Sequence, residues 1–322
     1  MAWLDSVSGH LWTLAPAVQA RLRPVRVPSG EPFEVALHDP VVGEVKVTGI
    51  LRWASRDVLP DGQVAPNHYA PLIVIIHGLG GSVGSPYVVR LARLATARGA
   101  SVLLLNLRGA DRRGDDIYHA GLVTDIACAL RSERLAGVSR IAILGCSLGG
   151  HMALSWSLAP SDDRVRAVAA LCSPVDLEQG CADIDVPARV MYRDHVLSGL
   201  KDMYTRAHAR GRVHTPLEQV LAIRTLRAWD QLAVIPRFGF PSVEDYWQGT
   251  QVGPHLARLP LPTRIVVAKS DPMVLARTTL RHFQRLPAHV QVDQVAGGHL
   301  GFPPASDAEQ GLVAWLIATA RS

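Results

Sequence analysis

The chain has 322 residues, of which 48% are hydrophobic and 19% are charged. This length and composition suit a large globular core and exclude a disordered chain. Lys and Arg together number 33 against 28 Asp and Glu, and the excess of five forms no dense basic run. We therefore expect no nucleic-acid partner.

The cysteines and the N-terminus argue against metal-binding, secreted and membrane-anchored classes of protein. The four cysteines show neither a CxxC motif nor a metal-type spacing with histidine, which predicts no metal site and a reducing, cytoplasmic setting. They are Cys128, Cys146, Cys172 and Cys181. The N-terminus lacks a basic start, and Asp5 and His10 interrupt its apolar run, so we expect neither a signal peptide nor a membrane anchor. No uncharged apolar stretch of about 18 residues occurs elsewhere, so no stable membrane insertion is expected.

Strand-like and helical patterns alternate from residue 33 onward. The expected strands are 33–37, 45–53, 72–78, 101–106, 140–145, 165–172, 264–268 and 289–295. The expected helices are 89–97, 117–135, 148–158, 274–285 and 309–320. This alternation predicts one α/β domain over residues 1–322, with a mostly parallel central sheet and helices on both faces. The first two strands are expected to lie antiparallel at one edge.

The alternation stops between about residues 176 and 258, where helical patterning continues without buried strands. Seven aromatic residues fall in this segment. They are Tyr192, Tyr204, Trp229, Phe238, Phe240, Tyr246 and Trp247. The pattern predicts a helical cap inserted over the C-terminal edge of the sheet, where open α/β folds bind ligands. Most of these aromatics are expected to fill the insertion's own core, and one or two facing the cleft would be enough to shape an acyl pocket.

A G-x-S-x-G motif occurs twice, around Ser147 and around Ser82. Such a serine is a nucleophile where a strand runs straight into a tight turn and then a helix, with small flanking residues. Residues 140–145 supply the strand and residues 148–158 the helix for Ser147, whereas Ser82 lies several residues beyond its strand. We therefore predict Ser147 as the nucleophile, and an ordinary helix N-cap is the alternative interpretation of that residue.

A serine hydroxyl needs a base within hydrogen-bond reach and an acid that orients the base. In the order Ser, Asp, His, the candidates are Asp271, after the strand 264–268, and His299, after the strand 289–295. Both are expected at the same edge of the sheet as Ser147. The alternatives are a helix cap at Asp271 and an ordinary loop histidine at His299. The weaker candidates, judged by their positions in a helix or strand, are His282, His289 and Asp293.

Two backbone N–H groups are expected to stabilise the negative charge that develops on a substrate oxygen. One belongs to Leu148, directly after the nucleophile. The other belongs to Leu79, because Gly78 and Gly80 beside it allow the backbone to turn its amides inward. His77 is expected to stabilise this loop, and a chemical role for His77 is the alternative.

Five sequence blocks carry a family resemblance. They are HGLGGSVGSPY (77–87), NLRGADRRGDDIYHAG (106–121), GCSLGGHMA (145–153), SDPMV (270–274) and GGHLGF (297–302). They resemble the YheT/ABHD-type branch of the α/β-hydrolases, which contains bacterial esterases and eukaryotic lipid hydrolases. The resemblance implies an α/β-hydrolase fold, a triad of Ser147, Asp271 and His299, and carboxylic esters or acylglycerols as substrates. Gly80 departs from relatives that often carry an acidic residue there, and the N-terminus lacks the membrane anchor of the eukaryotic members; both differences weaken the transfer of a lipid substrate.

Together these features predict a serine carboxylesterase that hydrolyses short to medium acyl esters through an acyl-enzyme, without a metal or organic cofactor. The expected partner is a small-molecule ester, and the sequence leaves the oligomeric state, including a homo-oligomer, open. The alternatives are a lipase or monoacylglycerol hydrolase, an amidase, thioesterase or peptidase, and a non-enzymatic binding protein with a vestigial pocket. A serine nucleophile argues against a dehalogenase, which uses a carboxylate.

Overall fold

The computed structural model describes residues 2–22, 27–58 and 64–322 of the chain. Its strands are β1 (Glu31–Asp39), β2 (Gly43–Arg52), β3 (Ser55–Val58), β4 (Val64–Pro66), β5 (Leu72–Ile76), β6 (Ser101–Leu105), β7 (Ile141–Cys146), β8 (Val165–Leu171), β9 (Thr263–Ala268) and β10 (Val290–Val295). Eight strands form one sheet in the order β1-β2-β6-β5-β7-β8-β9-β10, and β3 pairs with β4 in a separate hairpin.

The main sheet is parallel from β6 through to β10, while β1 and β2 run antiparallel at one edge. Every residue of β5, β6 and β7 is buried. Strands covered on both faces by helices have no solvent face for polar side chains, which explains their continuous apolar runs. The expectation of a mostly parallel sheet with two antiparallel strands at one edge is confirmed.

The helices cover both faces of this sheet. They are α1 (Ala2–Leu22), α2 (Pro86–Ala97), α3 (Thr124–Leu130), α4 (Leu148–Ser157), α5 (Leu177–Ile184), α6 (Val190–Ala209), α7 (Leu217–Leu221), α8 (Leu226–Trp229), α9 (Ile235–Phe238), α10 (Val243–Thr250), α11 (Ala276–Leu280) and α12 (Ala308–Arg321). Separate apolar clusters fill the two sides of the sheet. Among the described residues, no helix is long and apolar enough to cross a membrane.

Two helix predictions need correction, and one helix was not predicted. The prediction for 117–135 is wrong, because only its middle, α3, is α-helical. Before α3 the chain is irregular, since the buried Tyr118 hydroxyl binds the backbone of Gly80 and Asp125 binds the buried Arg108. Such tertiary contacts override helical periodicity. The helix expected over 274–285 is reduced to the five residues of α11, and α1 has no counterpart in the sequence prediction.

Residues 177–258, here called the cap segment, contain helices and no strand. A buried ion cluster joins this segment to the sheet. Arg237 of α9 donates to Asp116 through Nε at 2.7 Å and Nη2 at 2.6 Å, and its Nη2 lies 2.9 Å from Asp39. Arg108 binds the same two carboxylates at 3.2 Å and 2.9 Å. Because all four side chains are buried, the cluster fixes α9 to β1 and to the loop after β6.

Candidate active site

Ser147 lies at a sharp turn between β7 and α4. The strand ends at Cys146 and the helix begins at Leu148, so a single residue carries the change of direction. Ser147 has φ 51° and ψ −124°, a backbone conformation that is strained for every residue except glycine. Strain of this kind persists only where the surrounding structure holds the residue in place.

Glycines around Ser147 allow neighbouring backbone segments to pack closely enough to hold it. A Cβ at Gly149 would lie 2.4 Å from the carbonyl oxygen of His77. A Cβ at Gly150 would lie 2.9 Å from the carbonyl oxygen of Gly145. Real Cβ atoms do not approach other atoms this closely, so any larger residue would force the loops apart. The packing therefore explains why small residues follow the serine.

The carboxyl ends of β9 and β10 bring Asp271 and His299 together. Nδ1 of His299 donates to Oδ2 of Asp271 at 2.8 Å. The two side chains are only 8% and 1% exposed, respectively. Oδ1 of Asp271 accepts from the backbone N–H groups of Met273 at 2.8 Å and Val274 at 2.9 Å. The carboxylate is thus held at both oxygens and keeps the His299 proton on Nδ1, which leaves Nε2 as the basic nitrogen.

The N-terminal helix α1 packs against the loop that carries His299. Oγ1 of Thr13 accepts from the backbone N–H of His299 at 2.8 Å and donates to the carbonyl of Gly9 at 2.7 Å. The approach is close, since a Cβ at Gly298 would lie 2.1 Å from that same carbonyl oxygen. Sequence reasoning missed this contact, because 286 positions separate Thr13 from His299 and no motif marks α1.

The loop after β5 presents one backbone amide between two that are already bound. The Tyr87 hydroxyl accepts from the N–H of Gly78 at 2.9 Å, and the Tyr118 hydroxyl accepts from the N–H of Gly80 at 2.7 Å. Burial raises the pKa of Tyr87 to about 12, so its hydroxyl stays protonated at neutral pH. The two tyrosines fix the loop on either side of Leu79. Sequence reasoning missed both, although they lie within the blocks that carried the family resemblance.

The amides of Leu79 and Leu148 are suited to bind an anion. Among the described residues, neither N–H has an acceptor in the protein. Both leucines line the same cavity as Ser147, and Gly78 approaches so closely that a Cβ on it would lie 2.9 Å from the serine Cβ. Two unsatisfied donors beside a nucleophile can stabilise an oxygen that becomes negatively charged.

His77 lies beneath this loop and is fully buried. Its Nε2 accepts from the N–H of Leu107 at 3.2 Å, so Nδ1 carries the proton and donates to the carbonyl of Gly78 at 2.8 Å. Burial lowers the pKa of His77 to about 4, and the ring is therefore neutral at pH 7. Both ring nitrogens are engaged within the protein, in keeping with the structural role expected for His77.

A cavity of about 1170 Å³ opens over Ser147 and His299. The loops at the sheet edge form one wall, the cap segment forms another, and α1 and α2 contribute further residues, among them Thr13 and Tyr87. Four of the seven aromatics in that segment line the cavity, although most were expected to fill only the segment's own core. They are Tyr192, Trp229, Tyr246 and Trp247. The volume lies above the range of about 300–1000 Å³ typical of small-molecule pockets.

One cluster near this cavity has the composition of a metal site. Sγ of Cys172, a carboxylate oxygen of Asp271 and a ring nitrogen of His299 lie within 4.8 Å of one another. Burial and the nearby Asp271 carboxylate raise the pKa of the Cys172 thiol well above its usual range. A protonated thiol is a poor metal ligand, and the other two groups already bind each other, so these residues do not fit a metal.

The weaker sequence candidates are engaged elsewhere. Nε2 of His282 lies 3.1 Å from Asp176, and Nε2 of His289 donates to the carbonyl of Leu259 at 2.8 Å. Asp293 pairs with Arg264 at 2.5 Å in the middle of β10. None of the three candidates is among the described residues that line the cavity.

A sequence profile of the α/β-hydrolase fold family matches residues 71–305. The chain is 31% identical over 262 residues to YheT of Escherichia coli, a predicted esterase, with 76% of each chain covered. It is 24% identical over 262 residues to the medium-chain fatty acid ethyl ester synthase/esterase 2 of Saccharomyces cerevisiae, covering 72% of this chain and 58% of that one. It is 23% identical over 245 residues to the monoacylglycerol lipase of the same yeast, covering 72% and 55%. The chain therefore spans less than two thirds of both yeast proteins.

Solved structures show the same fold at low sequence identity. An esterase from Pyrococcus furiosus superposes with a TM-score of 0.56 at 12% identity, covering 91% of this chain and 92% of that one. The 2,6-dihydroxy-pseudo-oxynicotine hydrolase superposes with a TM-score of 0.56 at 16% identity, covering 96% and 72%. At these identities the likeness concerns the fold alone.

The fold, the strained serine and the family profile together define a hydrolase of the α/β class. The chain belongs to the α/β-hydrolase fold family, and within it to the branch of YheT-type esterases.

Proposed function

We propose that this chain is a serine carboxylic-ester hydrolase that works through an acyl-enzyme intermediate. Ser147 is the nucleophile, His299 the general base, and Asp271 the acid that orients the base. One observation carries the proposal: a strained serine and a carboxylate-bound histidine lie in the wall of the same large cavity. The relatives support it, since YheT is a predicted esterase and one yeast relative is an ester synthase/esterase.

The first step forms the acyl-enzyme. Nε2 of His299 removes the hydroxyl proton of Ser147 as Oγ bonds to the ester carbonyl carbon, and the carbonyl electron pair moves onto its oxygen. The backbone N–H groups of Leu79 and Leu148 donate to that oxygen. The Asp271 carboxylate stabilises the imidazolium. When the carbonyl re-forms, the bond to the alcohol oxygen breaks, and His299 returns the proton to the leaving alcohol.

The second step repeats this chemistry with water. His299 removes a proton from a water molecule, whose oxygen attacks the acyl carbon while the same two amides bind the oxyanion. Collapse breaks the bond to Ser147 Oγ, which regains its proton from His299, and the free acid leaves. Side chains and backbone amides of this chain supply every group in this cycle, so the proposed reaction needs no metal or organic cofactor.

The substrate proposed first is a small-molecule ester with a short to medium acyl chain. A second candidate, a lipase or monoacylglycerol hydrolase, is favoured by the cavity volume of about 1170 Å³. A cavity of this size has room for a longer chain than a short ester carries. The yeast monoacylglycerol lipase among the relatives points the same way. The two candidates share the triad and differ only in the length of chain that the cavity binds.

The proposed chemistry is tested by the turnover of aryl esters by the wild type and by Ser147→Ala. We expect the variant to lose at least about 10⁴-fold in kcat, because the nucleophile and its base act as a unit. A fluorophosphonate should label wild-type Ser147 and should fail to label the variant. Full activity of Ser147→Ala would refute the mechanism, and an unlabelled, inactive wild type would support a binding protein with a vestigial pocket.

The chain-length profile separates the two substrate candidates. Soluble aryl esters with acyl chains of graded length, and an emulsified long-chain monoacylglycerol, are compared by kcat/KM. A maximum at short to medium chains supports the carboxylesterase. Preference for the long-chain emulsion supports the lipase and leaves the triad assignment unchanged.

A further inference from the structure

The cap segment places one acidic side chain in the otherwise apolar part of the cavity. Trp229, Tyr246 and Trp247 form much of this wall, and each is at least nine-tenths buried. Among the described residues that line the cavity, Asp230 supplies the one carboxylic acid. The groups that act on its charge lie between positions 181 and 247, so Asp230 belongs to the cap wall and not to the sheet edge.

One oxygen of Asp230 is held by the protein and the other is open. Oδ2 accepts from Nε1 of Trp247 at 2.8 Å. Within the described part of the chain, no donor reaches Oδ1 and no cation pairs with the carboxyl. The Arg227 guanidinium, which favours the charged form of Asp230, is paired with Glu244 at 2.5 Å and lies 5.3 Å over the Trp247 ring. Because Asp230 lines the cavity and its Oδ2 is engaged by Trp247, Oδ1 is the oxygen left for a molecule in the cavity.

The surroundings of Asp230 make an open carboxyl energetically costly. Burial raises its pKa to about 7, the Asp185 carboxylate adds to the rise, and the Trp247 N–H and Arg227 oppose it. Asp230 also begins the π-helix Asp230–Val234, an irregularity that recurs at functional sites because it re-aims side chains. Asp230 is half-buried, and a carboxyl oxygen there without a protein partner can gain a hydrogen bond from a ligand that fills the cavity.

We infer that Asp230 forms a second recognition site in the cavity, which binds a hydrogen-bond donor, either a hydroxyl or an ammonium group, on the part of the ester substrate remote from the scissile bond. The inference rests on the proposed esterase function. A hydroxyl would donate to the open Oδ1. An ammonium would donate there and also lie against the aromatic rings of Trp229, Tyr246 and Trp247, which attract cations.

The experiment uses aryl esters of equal acyl length that end in a methyl, a hydroxyl or an ammonium group, tested at several chain lengths. We expect the wild type to prefer one polar-ended ester over the methyl-ended ester by about ten- to a hundredfold in kcat/KM, mainly through KM. Asp230→Leu should abolish or reverse this preference. Asp230→Asn should keep the preference for a hydroxyl and lose that for an ammonium, which distinguishes the two donors.

A matched control makes the same substitutions outside the cavity. Asp194, on α6, has a side chain that is 58% exposed, and it does not line the cavity. Asp194→Asn and Asp194→Leu should leave the preference among the three esters unchanged. The inference is overturned if wild type favours the methyl end at every length, or if Asp230→Leu leaves the ratios as they were. Ser147-dependent turnover of the methyl-ended ester in that case would show that the proposed function stands while this inference fails.

Discussion

The sheet-edge wall and the cap wall of the cavity are built in different ways. At the sheet edge, Ser147, Cys172 and Leu300 follow the ends of three strands, and each has a positive φ. Between residues 177 and 258, no residue other than glycine has a positive φ. The unfavourable feature of the cap wall is electrostatic instead. It holds the carboxyl of Asp230, of which only one oxygen has a hydrogen-bond donor, among aromatic rings.

Under the proposed function, this difference assigns the chemistry to the sheet-edge wall and the selectivity for substrates to the cap wall. Backbone atoms position the proposed nucleophile and both proposed oxyanion donors, so those positions depend on packing that excludes larger residues. The proposed recognition site in the cap wall consists of side chains, which can change without moving the backbone. We therefore expect substitutions at the sheet edge to affect kcat or folding, and substitutions in the cap wall to affect KM and substrate choice.

The largest effect is expected where the sheet edge supplies the proposed acid. Asp271→Asn should lower kcat by about 10⁴-fold, because an amide no longer keeps the His299 proton on Nδ1. The measurement is steady-state hydrolysis of an aryl ester. Asp293→Asn provides the control, since Asp293 pairs with Arg264 on β10 away from the cavity. Equal losses in the two variants would contradict the assignment.

Two glycines test the contrast between the walls through stability. Gly149→Ala should destabilise the protein by about 3 kcal/mol, because its Cβ would overlap the backbone oxygens of His77 and Ile76. Gly249, in α10 of the cap segment, has no atom within 4 Å of an added Cβ. Gly249→Ala should therefore be neutral or stabilising by up to about 1 kcal/mol. Denaturant unfolding of both variants measures this contrast, which disappears if they lose stability equally.

The electrostatic strain of the cap wall predicts a pH dependence of stability. The pKa of Asp230 is about 7 in the folded protein against 3.8 for the free side chain. The folded state therefore binds the proton more tightly, and the free energy of unfolding contributed by Asp230 falls as pH rises from about 4 to about 7. Asp230→Asn removes this loss. The free energy of unfolding of the variant, relative to that of the wild type, should therefore increase by about 2 kcal/mol as pH rises from 5 to 8.

The comparison for this prediction is denaturant unfolding of both proteins at the two pH values. Asp194→Asn, which changes an exposed carboxyl on α6, should show no such pH-dependent gain. A gain for Asp230→Asn that is larger at pH 5 than at pH 8 would have the wrong sign and would contradict the account.

The smallest effect is expected at α1. Thr13→Val keeps the shape of the side chain and removes the acceptor for the His299 N–H, so kcat should fall about five- to tenfold with KM nearly constant. Thr13→Ser restores the hydroxyl and should restore kcat. If valine and serine behave alike, α1 has no part in positioning His299.

The strands of the mostly parallel sheet and the turn at Ser147 could be predicted from sequence because they depend on local signals. Apolar runs mark buried strands, and a glycine-flanked serine between a strand and a helix marks the turn. The irregular path before α3 could not be predicted in this way. Its conformation depends on a buried hydroxyl of Tyr118 that binds Gly80, and on the carboxylate of Asp125 that binds Arg108. Periodicity along the chain carries no information about such partners.

Neither the environment of Asp230 in the cap wall nor the contact of α1 with His299 could be predicted from the sequence. Asp230 occupies an ordinary helical position in the sequence, and only its enclosure by residues from 181 to 247 gives its carboxyl an unusual environment. Thr13 lies in a segment without a motif, and its partner is almost a whole chain length away. Long-range contacts of this kind leave no pattern in a single sequence.

The separation of Thr13 from His299 has a consequence for biosynthesis. The proposed nucleophile and oxyanion loop are translated before Asp271 and His299, which lie far behind them along the chain. A growing polypeptide therefore carries a serine without a base. The proposed triad cannot assemble before the loop at 297–302 has been translated, and only then can that loop pack against α1.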